Sequence, residues 1–136
     1  MPRRVFFSFH YDDIMNANIV RMSGQFKPTK ETGFYDASLW EEAKLKGDSA
    51  IKRLIDDGMK NTSVTCVLIG EKTHARPWCK YEVEQSRALR KGLFGVLLPN
   101  QTKYGPKWIS QWAPVYTWDH NKFQSWVDQA AEKVGR

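Results

Sequence analysis

The sequence predicts an α/β domain in which a parallel sheet is flanked by helices. Its apolar runs are continuous rather than alternating, above all Val64–Ile69 and Leu93–Leu98, and such runs are typical of strands buried on both faces. Segments with helical periodicity separate the runs, and this alternation favours parallel strands joined by right-handed crossovers. With 136 residues and no internal repeat or linker, the chain is expected to form one domain over residues 1–136.

The strands are predicted from these apolar runs. In chain order they are Val5–Phe9, Gly33–Tyr35, Val64–Ile69, Leu93–Leu98 and Val115–Trp118, the last at an edge of the sheet. The segments 23–32 and 99–114 are polar and rich in Pro, Gly and Lys, which predicts loops. A turn of helix around Trp108 is expected in the second loop.

The helices are predicted from capping residues and apolar stripes. One begins at Asp12 or Asp13, and another ends at Gly58. Between them, Ser38 and Glu41 have the capping-box spacing of a short helix or a turn. The predicted ranges are 12–22, 38–41, 48–57, 77–91 and 120–134. Together with the strands they give helices on both sides of the sheet.

An acidic residue, Glu82, falls on the apolar face of the helix that we expect to begin at Pro77 and to stop at Gly92. At about 100° per residue, Glu82 lies within one stripe and Glu84 points the other way. The other members of this stripe are Cys79, Val83, Ser86 and Leu89. The pattern therefore predicts an inward-facing carboxylate.

A carboxylate near the start of a helix feels the positive end of the helix dipole and unpaired backbone donors, which favour its ionised form. Glu82 is therefore suited to face a cation. From the residues alone, a second interpretation stays open, in which Glu82 pairs with a neighbouring arginine or reaches the edge of the helix.

Composition and charge exclude several classes of function. The net charge of +6 is spread over small groups of basic residues and no nucleic-acid motif is present, so a nucleic-acid partner is not expected. Cys66 and Cys79 are expected to remain buried thiols, and the histidines lack the spacing of metal ligands, so no metal is assigned. Without a signal peptide or an apolar run of about 18 residues, the chain is expected to be cytoplasmic and not to enter a membrane.

A ligand of an open α/β sheet binds beyond the carboxyl ends of the strands, where the strand order reverses. For a flavodoxin-like order 2-1-3-4-5, this place lies between the first and third strands. The residues predicted to line it are Phe9, His10, Tyr11, Asp36, Ser38, Trp40, Gly70 and Trp78, with Glu82. Structural roles remain open for some of them: Ser38 has the position of a helix cap, and Trp40 and Trp78 could cover the edge of the core.

Several familiar catalytic motifs are absent from the sequence. It contains no GxSxG elbow, no Walker loop, no GxGxxG and no HExxH. Phosphoryl transfer, Rossmann-type hydride transfer and zinc hydrolysis therefore lack their usual residues, and a single carboxylate remains as the candidate catalytic group.

Four blocks of the sequence, taken together, resemble Toll/interleukin receptor (TIR) domains, and most of all the TIR-like proteins of the bacterial Thoeris anti-phage system. For TIR domains the blocks are Val5–Phe9, Phe34–Asp36, Thr62–Gly70 and Trp78–Val83, and for the Thoeris proteins they are Arg4–Tyr11, Phe34–Glu41 and Asn61–Gly70. The resemblance covers residues 4–98 well and the last third, from Asn100, poorly.

This resemblance implies a flavodoxin-like, three-layer fold with a five-stranded parallel sheet and an enzyme that cleaves NAD+ at its nicotinamide bond. NAD+ would be the substrate, with no cofactor, and the Trp-Cys-x-x-Glu pattern assigns the catalytic role to Glu82. The implied product is a cyclic or otherwise modified ADP-ribose that activates a separate effector protein. Self-association on activation is also implied.

The chemistry of NAD+ cleavage fits one carboxylate. Nicotinamide leaves as a neutral base and needs no general acid, whereas the ribosyl cation that forms needs a nearby negative charge. Cyclisation then requires an internal nucleophile held nearer than water, for which Phe9, Tyr11 and Trp40 are candidate stacking surfaces.

Two other functions fit the same fold. One is a non-enzymatic TIR adaptor that acts by self-assembly. The other is an enzyme similar to nucleoside deoxyribosyltransferases, in which a glutamate such as Glu82 attacks the sugar covalently.

Overall fold

The computed structural model describes residues 4–8, 45–70, 77–98, 107–119 and 121–136. Its elements in chain order are β1 (Val5–Ser8), α1 (Asp48–Met59), β2 (Val64–Ile69), α2 (Pro77–Ala88), β3 (Gly92–Leu97), α3 (Lys107–Ser110), β4 (Val115–Thr117) and α4 (Phe123–Lys133).

The four strands form one sheet in the order β1-β2-β3-β4, and every neighbouring pair is parallel. These are the predicted first, third, fourth and fifth strands, in the predicted order. The prediction of an α/β fold with a parallel sheet is therefore confirmed. The remaining predicted strand at 33–35 and the predicted helices at 12–22 and 38–41 lie outside the described residues.

The face of the sheet covered by α4 is packed with aromatic side chains. Phe94 contacts the rings of both Phe123 and Trp126, at centroid distances of 5.7 and 6.3 Å. Tyr116 of β4 stacks on Trp126 at 4.3 Å with an angle of 4° between the rings. Each buried phenyl ring removes enough apolar surface from water to stabilise the fold by about 1.5–3 kcal/mol.

The opposite face is covered by α1, α2 and α3 and is mainly aliphatic. Ile51, Ile55 and Met59 of α1 pack on Phe6. Val83 of α2 and Ile109 of α3 join a second cluster on this face, with Val67, Ile69 and Leu97 from the strands. Helices on both sides of the sheet thus produce the three predicted layers.

The end of α2 differs from the prediction. The helix ends at Ala88, and Arg90 takes the left-handed conformation at φ 55° that closes it. The Arg90 N–H donates to the Arg87 carbonyl at 3.1 Å and the Lys91 N–H to the Ser86 carbonyl at 2.9 Å, which is the Schellman arrangement. The prediction that Gly92 stops this helix was therefore wrong.

Gly92 instead begins β3, where it allows α4 to approach. A Cβ atom at this position would lie 2.6 Å from the carbonyl carbon and oxygen of Ala130. The glycine is needed because backbone atoms of α4 occupy the space of any side chain.

The end of α1 also differs from the prediction, because the helix continues through Gly58 to Met59. Its last carbonyl, that of Met59, accepts bonds from the Thr62 hydroxyl at 2.6 Å and from the Lys91 ammonium at 2.8 Å. Lys91 also donates to the Thr62 carbonyl at 2.6 Å. Burial and the nearby charge of Arg136 lower the pKa of Lys91.

Candidate active site

Glu82 is fully buried between α2 and the sheet, at 0% exposure. Cys79, Val83 and Ser86 are buried with it, whereas Glu84 is exposed. The predicted inward direction of the carboxylate is therefore confirmed. Leu89, which was predicted in the same stripe, lies beyond the end of α2 and is 44% exposed.

The position of Glu82 along the helix requires a correction. Because α2 begins at Pro77, its first turn contains no acidic residue and Glu82 lies in the second turn. The influence of the helix dipole falls off within the first turn. The predicted stabilisation of the carboxylate by the helix N-terminus is therefore not supported by this geometry.

Two hydroxyl groups connect the turn that follows Glu82 to the sheet. The Ser86 hydroxyl donates to the backbone carbonyl of Glu82 at 2.7 Å and lies 2.6 Å from the hydroxyl of Thr65 in β2. A serine hydroxyl has one proton, so Thr65 is the donor to Ser86. The result is a buried chain of two hydrogen bonds that joins β2 to the carbonyl of Glu82.

This chain also indicates where Glu82 lies relative to the strands. Since α2 follows β2 in a parallel sheet, its first residues lie at the carboxyl edge. Glu82 precedes Ser86 by about one turn of helix, so it lies closer to that edge than Thr65 does. The carboxyl edge is the place where ligands of such sheets bind.

Ser8 is a further polar residue at this edge that the sequence analysis did not single out. It ends β1 in register with Val67 of β2, and alternation along the strand places it on the same face as Phe6, the face covered by α1 and α2. Ser8 is fully buried, and its hydroxyl makes no hydrogen bond with any residue in the described ranges. Its signal in the sequence is a hydroxyl inside an otherwise apolar strand.

Gly70 and Trp78 are the other predicted ligand residues that the structure describes. Gly70 is buried directly after β2, at the carboxyl edge where it was predicted. Trp78, in the first turn of α2, is half-buried against the Phe6 cluster and contacts the ring of Tyr81 edge-on at 5.5 Å. This packing agrees with the interpretation that Trp78 covers the edge of the core. Its stacking on a ligand stays a prediction.

Tyr81 joins α2 to α1 on the surface. Its hydroxyl donates to Asp56 Oδ1 at 3.0 Å. Burial, the hydrogen bond and the charge of Asp56 all raise the pKa of Tyr81. The bond holds the helix that carries Glu82 against its neighbour.

The other predicted ligand residues lie outside the described residues, and their role stays a prediction. They are Phe9, His10, Tyr11, Asp36, Ser38 and Trp40. Within the described ranges, no three His, Cys, Asp or Glu side chains form a group able to hold a metal ion. Burial raises the pKa of Cys66, which keeps this thiol protonated.

None of the described helices combines the length and the apolar character that a membrane span requires.

Comparisons with known proteins agree with the fold. The family model described as "Thoeris protein ThsB, TIR-like domain" matches residues 6–103, which is more than half of the chain. A relative from Bacillus cereus (strain MSX-D12), named as a candidate cyclic ADP-D-ribose synthase, ThsB1, is 37% identical over 156 aligned positions. The alignment covers 100% of this chain and 81% of the relative. Together with the parallel sheet and the inward glutamate, these matches show that the chain belongs to the ThsB family of TIR-like Thoeris proteins.

Proposed function

We propose that this protein cleaves NAD+ at the nicotinamide bond and closes the ADP-ribosyl part into a cyclic ADP-ribose-type signal. The observation that carries the proposal is the full burial of Glu82 in the helix that follows β2. The Bacillus cereus relative, which is named as a candidate cyclic ADP-D-ribose synthase, supports the same class of product.

In the proposed reaction, the bond between the anomeric carbon and the nicotinamide nitrogen breaks, and its electron pair leaves with nicotinamide. Positive charge then develops on the anomeric carbon and the ring oxygen of the ribose. The ionised carboxylate of Glu82 stabilises this charge. Such an interaction is stronger in a buried site than in water, because the surrounding dielectric is lower.

The second step decides the product. An adenine nitrogen or a ribose hydroxyl of the same molecule attacks the cation, and a hydroxyl would lose its proton in doing so. If water attacks instead, the product is linear ADP-ribose. Cyclisation therefore depends on a folded substrate conformation that keeps the internal nucleophile closer than water.

The hydrogen bonds from Thr65 and Ser86 contribute positioning rather than chemistry. They fix the position of the Glu82 carbonyl relative to β2. The turn of α2 that carries the carboxylate is thereby fixed as well. A carboxylate that stabilises a transition state has to be held close to its productive position. In this proposal Thr65 and Ser86 are positioning residues.

The test is NAD+ turnover by the purified full chain, followed as nicotinamide release by chromatography, with the product mass measured in parallel. Glu82→Gln is nearly isosteric and should lower kcat by about 10²- to 10³-fold. Glu84→Gln is the matched control, because Glu84 is exposed two residues further on and should leave kcat unchanged. A cyclic product would be one water lighter than ADP-ribose.

Two results would contradict the proposal. One is a Glu82→Gln variant that keeps normal turnover. The other is a wild-type protein that is inactive even when self-assembled at high concentration, while Glu82→Gln retains anti-phage protection. The second result would favour the adaptor function, and a ribosyl adduct on Glu82 in a mass spectrum would favour the covalent transferase.

The signalling role belongs to the same proposal. The cyclic product would activate a separate effector protein of the Thoeris system, and self-association of this chain would precede its activity. Adding the filtered reaction mixture to the purified effector tests the first point. Activation by the wild-type mixture but not by the Glu82→Gln mixture is expected.

A further inference from the structure

A groove of about 700 Å³ lies at the amino edge of the sheet, at the other end of α2 from its first turn. It is bordered by the residues that follow α2, by the first residues of β3, by the residue before β4 and by the last turns of α4. Its volume is within the range of small-molecule sites, about 300–1,000 Å³. Of the predicted NAD+ residues that the structure describes, Gly70, Trp78 and Glu82, none lines it.

The groove contains cationic side chains for which the described residues supply no acidic partner. Arg87, Arg90 and Lys133 line it, all three are exposed, and none forms an ion pair within the described part of the chain. None of the described residues that line the groove is acidic. Three unpaired cations around one concave surface attract an anion, since their charges add.

Two neighbouring cations, Lys91 and Arg136, strengthen the positive potential while they donate hydrogen bonds to backbone carbonyls. Lys91 uses its ammonium group on the carbonyls of Met59 and Thr62. Arg136 donates to the carbonyls of Leu89 and Arg90 at 3.3 and 3.0 Å. After burial, the charge of Arg136 is the second cause of the lowered pKa of Lys91, which shows that the cations at this edge repel one another.

Aromatic rings form the apolar part of the groove. Trp112 is 48% exposed, and the Arg87 guanidinium lies 3.5 Å from the centre of its ring. Tyr116 and Trp126, stacked on each other, also line the groove. The indole offers a surface on which an aromatic ring can stack, and the guanidinium beside it offers N–H groups that can donate hydrogen bonds to a phosphate.

The edge of β3 adds backbone groups. The N–H groups of Gly92 and Leu98 donate towards β2, whereas that of Gly95 donates to the Pro114 carbonyl on the β4 side. By alternation, the N–H and C=O of Leu93 also face the β4 side. Since the register of β4 begins opposite Gly95, no β4 residue pairs with Leu93, which lines the groove.

We propose that this groove binds a small anion that carries an aromatic ring, such as a nucleoside monophosphate. Arg87, Arg90 and Lys133 bind the phosphate, and Trp112 and Tyr116 pack against the ring. The Leu93 peptide groups offer a donor and an acceptor to the edge of the ring. The site is separate from Glu82, and its occupancy does not depend on NAD+ cleavage.

The test is a titration of the full chain with AMP, followed by the tryptophan indole N–H signals in the NMR spectrum. The signals of Trp112 and Trp126, assigned by single substitutions to Phe, are expected to shift together. Adenosine and inorganic phosphate are the matched probes, because each retains only one half of AMP. Both should bind at least tenfold more weakly than AMP.

Variants locate the binding. Arg87→Gln with Lys133→Gln should weaken AMP binding at least tenfold, because charge-assisted hydrogen bonds to phosphate are lost. Arg53→Gln on α1 makes the same change of charge outside the groove and should have no effect. Glu82→Gln should also leave AMP binding at the groove unchanged, which separates this site from the proposed active site.

Several outcomes would overturn the inference. Indole signals of Trp112 and Trp126 that do not move with AMP would do so, as would an affinity that is equal in the Arg87→Gln/Lys133→Gln variant. Phosphate alone binding as well as AMP would reduce the groove to a general cationic patch. An acidic peptide that displaces AMP and binds more tightly would assign the groove to a protein partner instead.

Discussion

The two faces of the sheet differ in the kind of side chain that they bury. The described residues buried between the sheet and α4 are all apolar, and the aromatic group around Phe94 dominates them. The face under α1 and α2 buries Ser8, Thr65, Glu82 and Ser86 as well as aliphatic side chains. A carboxylate and three hydroxyls contribute little net stability when buried, because they lose hydration. One face of the sheet therefore stabilises the domain, and the other face carries its proposed chemistry.

Phe94→Ala is expected to have the largest effect on stability and to act only on the α4 face. Phe94 is fully buried among three other rings, so its truncation should lower the free energy of unfolding by about 3–5 kcal/mol. Turnover per folded molecule should change little. Chemical denaturation and NAD+ turnover measure the two quantities, and a large loss of kcat in the folded fraction would contradict the separation of the faces.

Glu82→Gln should give the opposite result. It changes kcat by the factor proposed above, but it should alter the free energy of unfolding by less than Phe94→Ala does, because it keeps the size of the side chain. Denaturation of both variants under one set of conditions makes the comparison. If Glu82→Gln were the more destabilising variant, Glu82 would be a structural residue of this face.

Ser86→Ala should lower both the free energy of unfolding and kcat. It leaves the buried Thr65 hydroxyl without its partner, at a cost of about 1–3 kcal/mol in unfolding free energy. It should also lower kcat with little change in KM, since the carboxylate is held less well. The double variant Thr65→Val/Ser86→Ala is the control: both partners are removed, so its loss of stability should be smaller than the sum of the single losses. Additive losses would show that the two hydroxyls do not interact.

Lys91→Met tests a buried charge at the amino edge and should lower the free energy of unfolding by about 1–3 kcal/mol, because buried carbonyls lose a donor.

The pH dependence of this stability difference has a defined sign. The pKa of Lys91 is lowered by folding, so between its folded value and about 10.4 the unfolded chain binds more protons and the wild type gains stability as pH rises. The difference between wild type and Lys91→Met should therefore grow from neutral pH towards pH 10. A difference that shrinks would contradict the assignment.

Arg90→Gly should have the smallest effect. Arg90 adopts φ 55° at the end of α2, a conformation that costs L-residues about 1 kcal/mol and glycine nothing. The variant should raise the melting temperature slightly and leave turnover unchanged. Arg90→Ala keeps the strain and is the control, which should not be stabilised.

Much of the fold followed from patterns within single elements. Val64–Ile69 is apolar at nearly every position because β2 is central, and this run alone indicated a strand buried on both faces. The inward direction of Glu82 followed from helical periodicity, since the angle between residues in a helix is constant. Both predictions use only neighbours along the chain.

The glycines show where such patterns fail. Gly58 and Gly92 were predicted to end helices, but Gly58 lies within α1 and Gly92 begins β3. A glycine is equally compatible with a helix end and with a close approach of two backbones, and the choice at Gly92 depends on Ala130, which lies 38 positions further along the chain. Ser8 was missed for a related reason. The role of its hydroxyl depends on the groups that surround it in the folded protein, and these lie far away in the sequence.

The sequence by itself determined the parallel α/β class and the inward side of Glu82, because these depend on periodicity and local apolar character, whereas the order of the strands was expected from the flavodoxin-like fold that the resemblance implies. Only the tertiary structure decided the position of Glu82 relative to the carboxyl edge, its hydroxyl chain to β2 and the cationic groove. These features join residues far apart in sequence, and their distances are set by how helices pack on a twisted sheet. A pattern within a short stretch of sequence does not predict that packing.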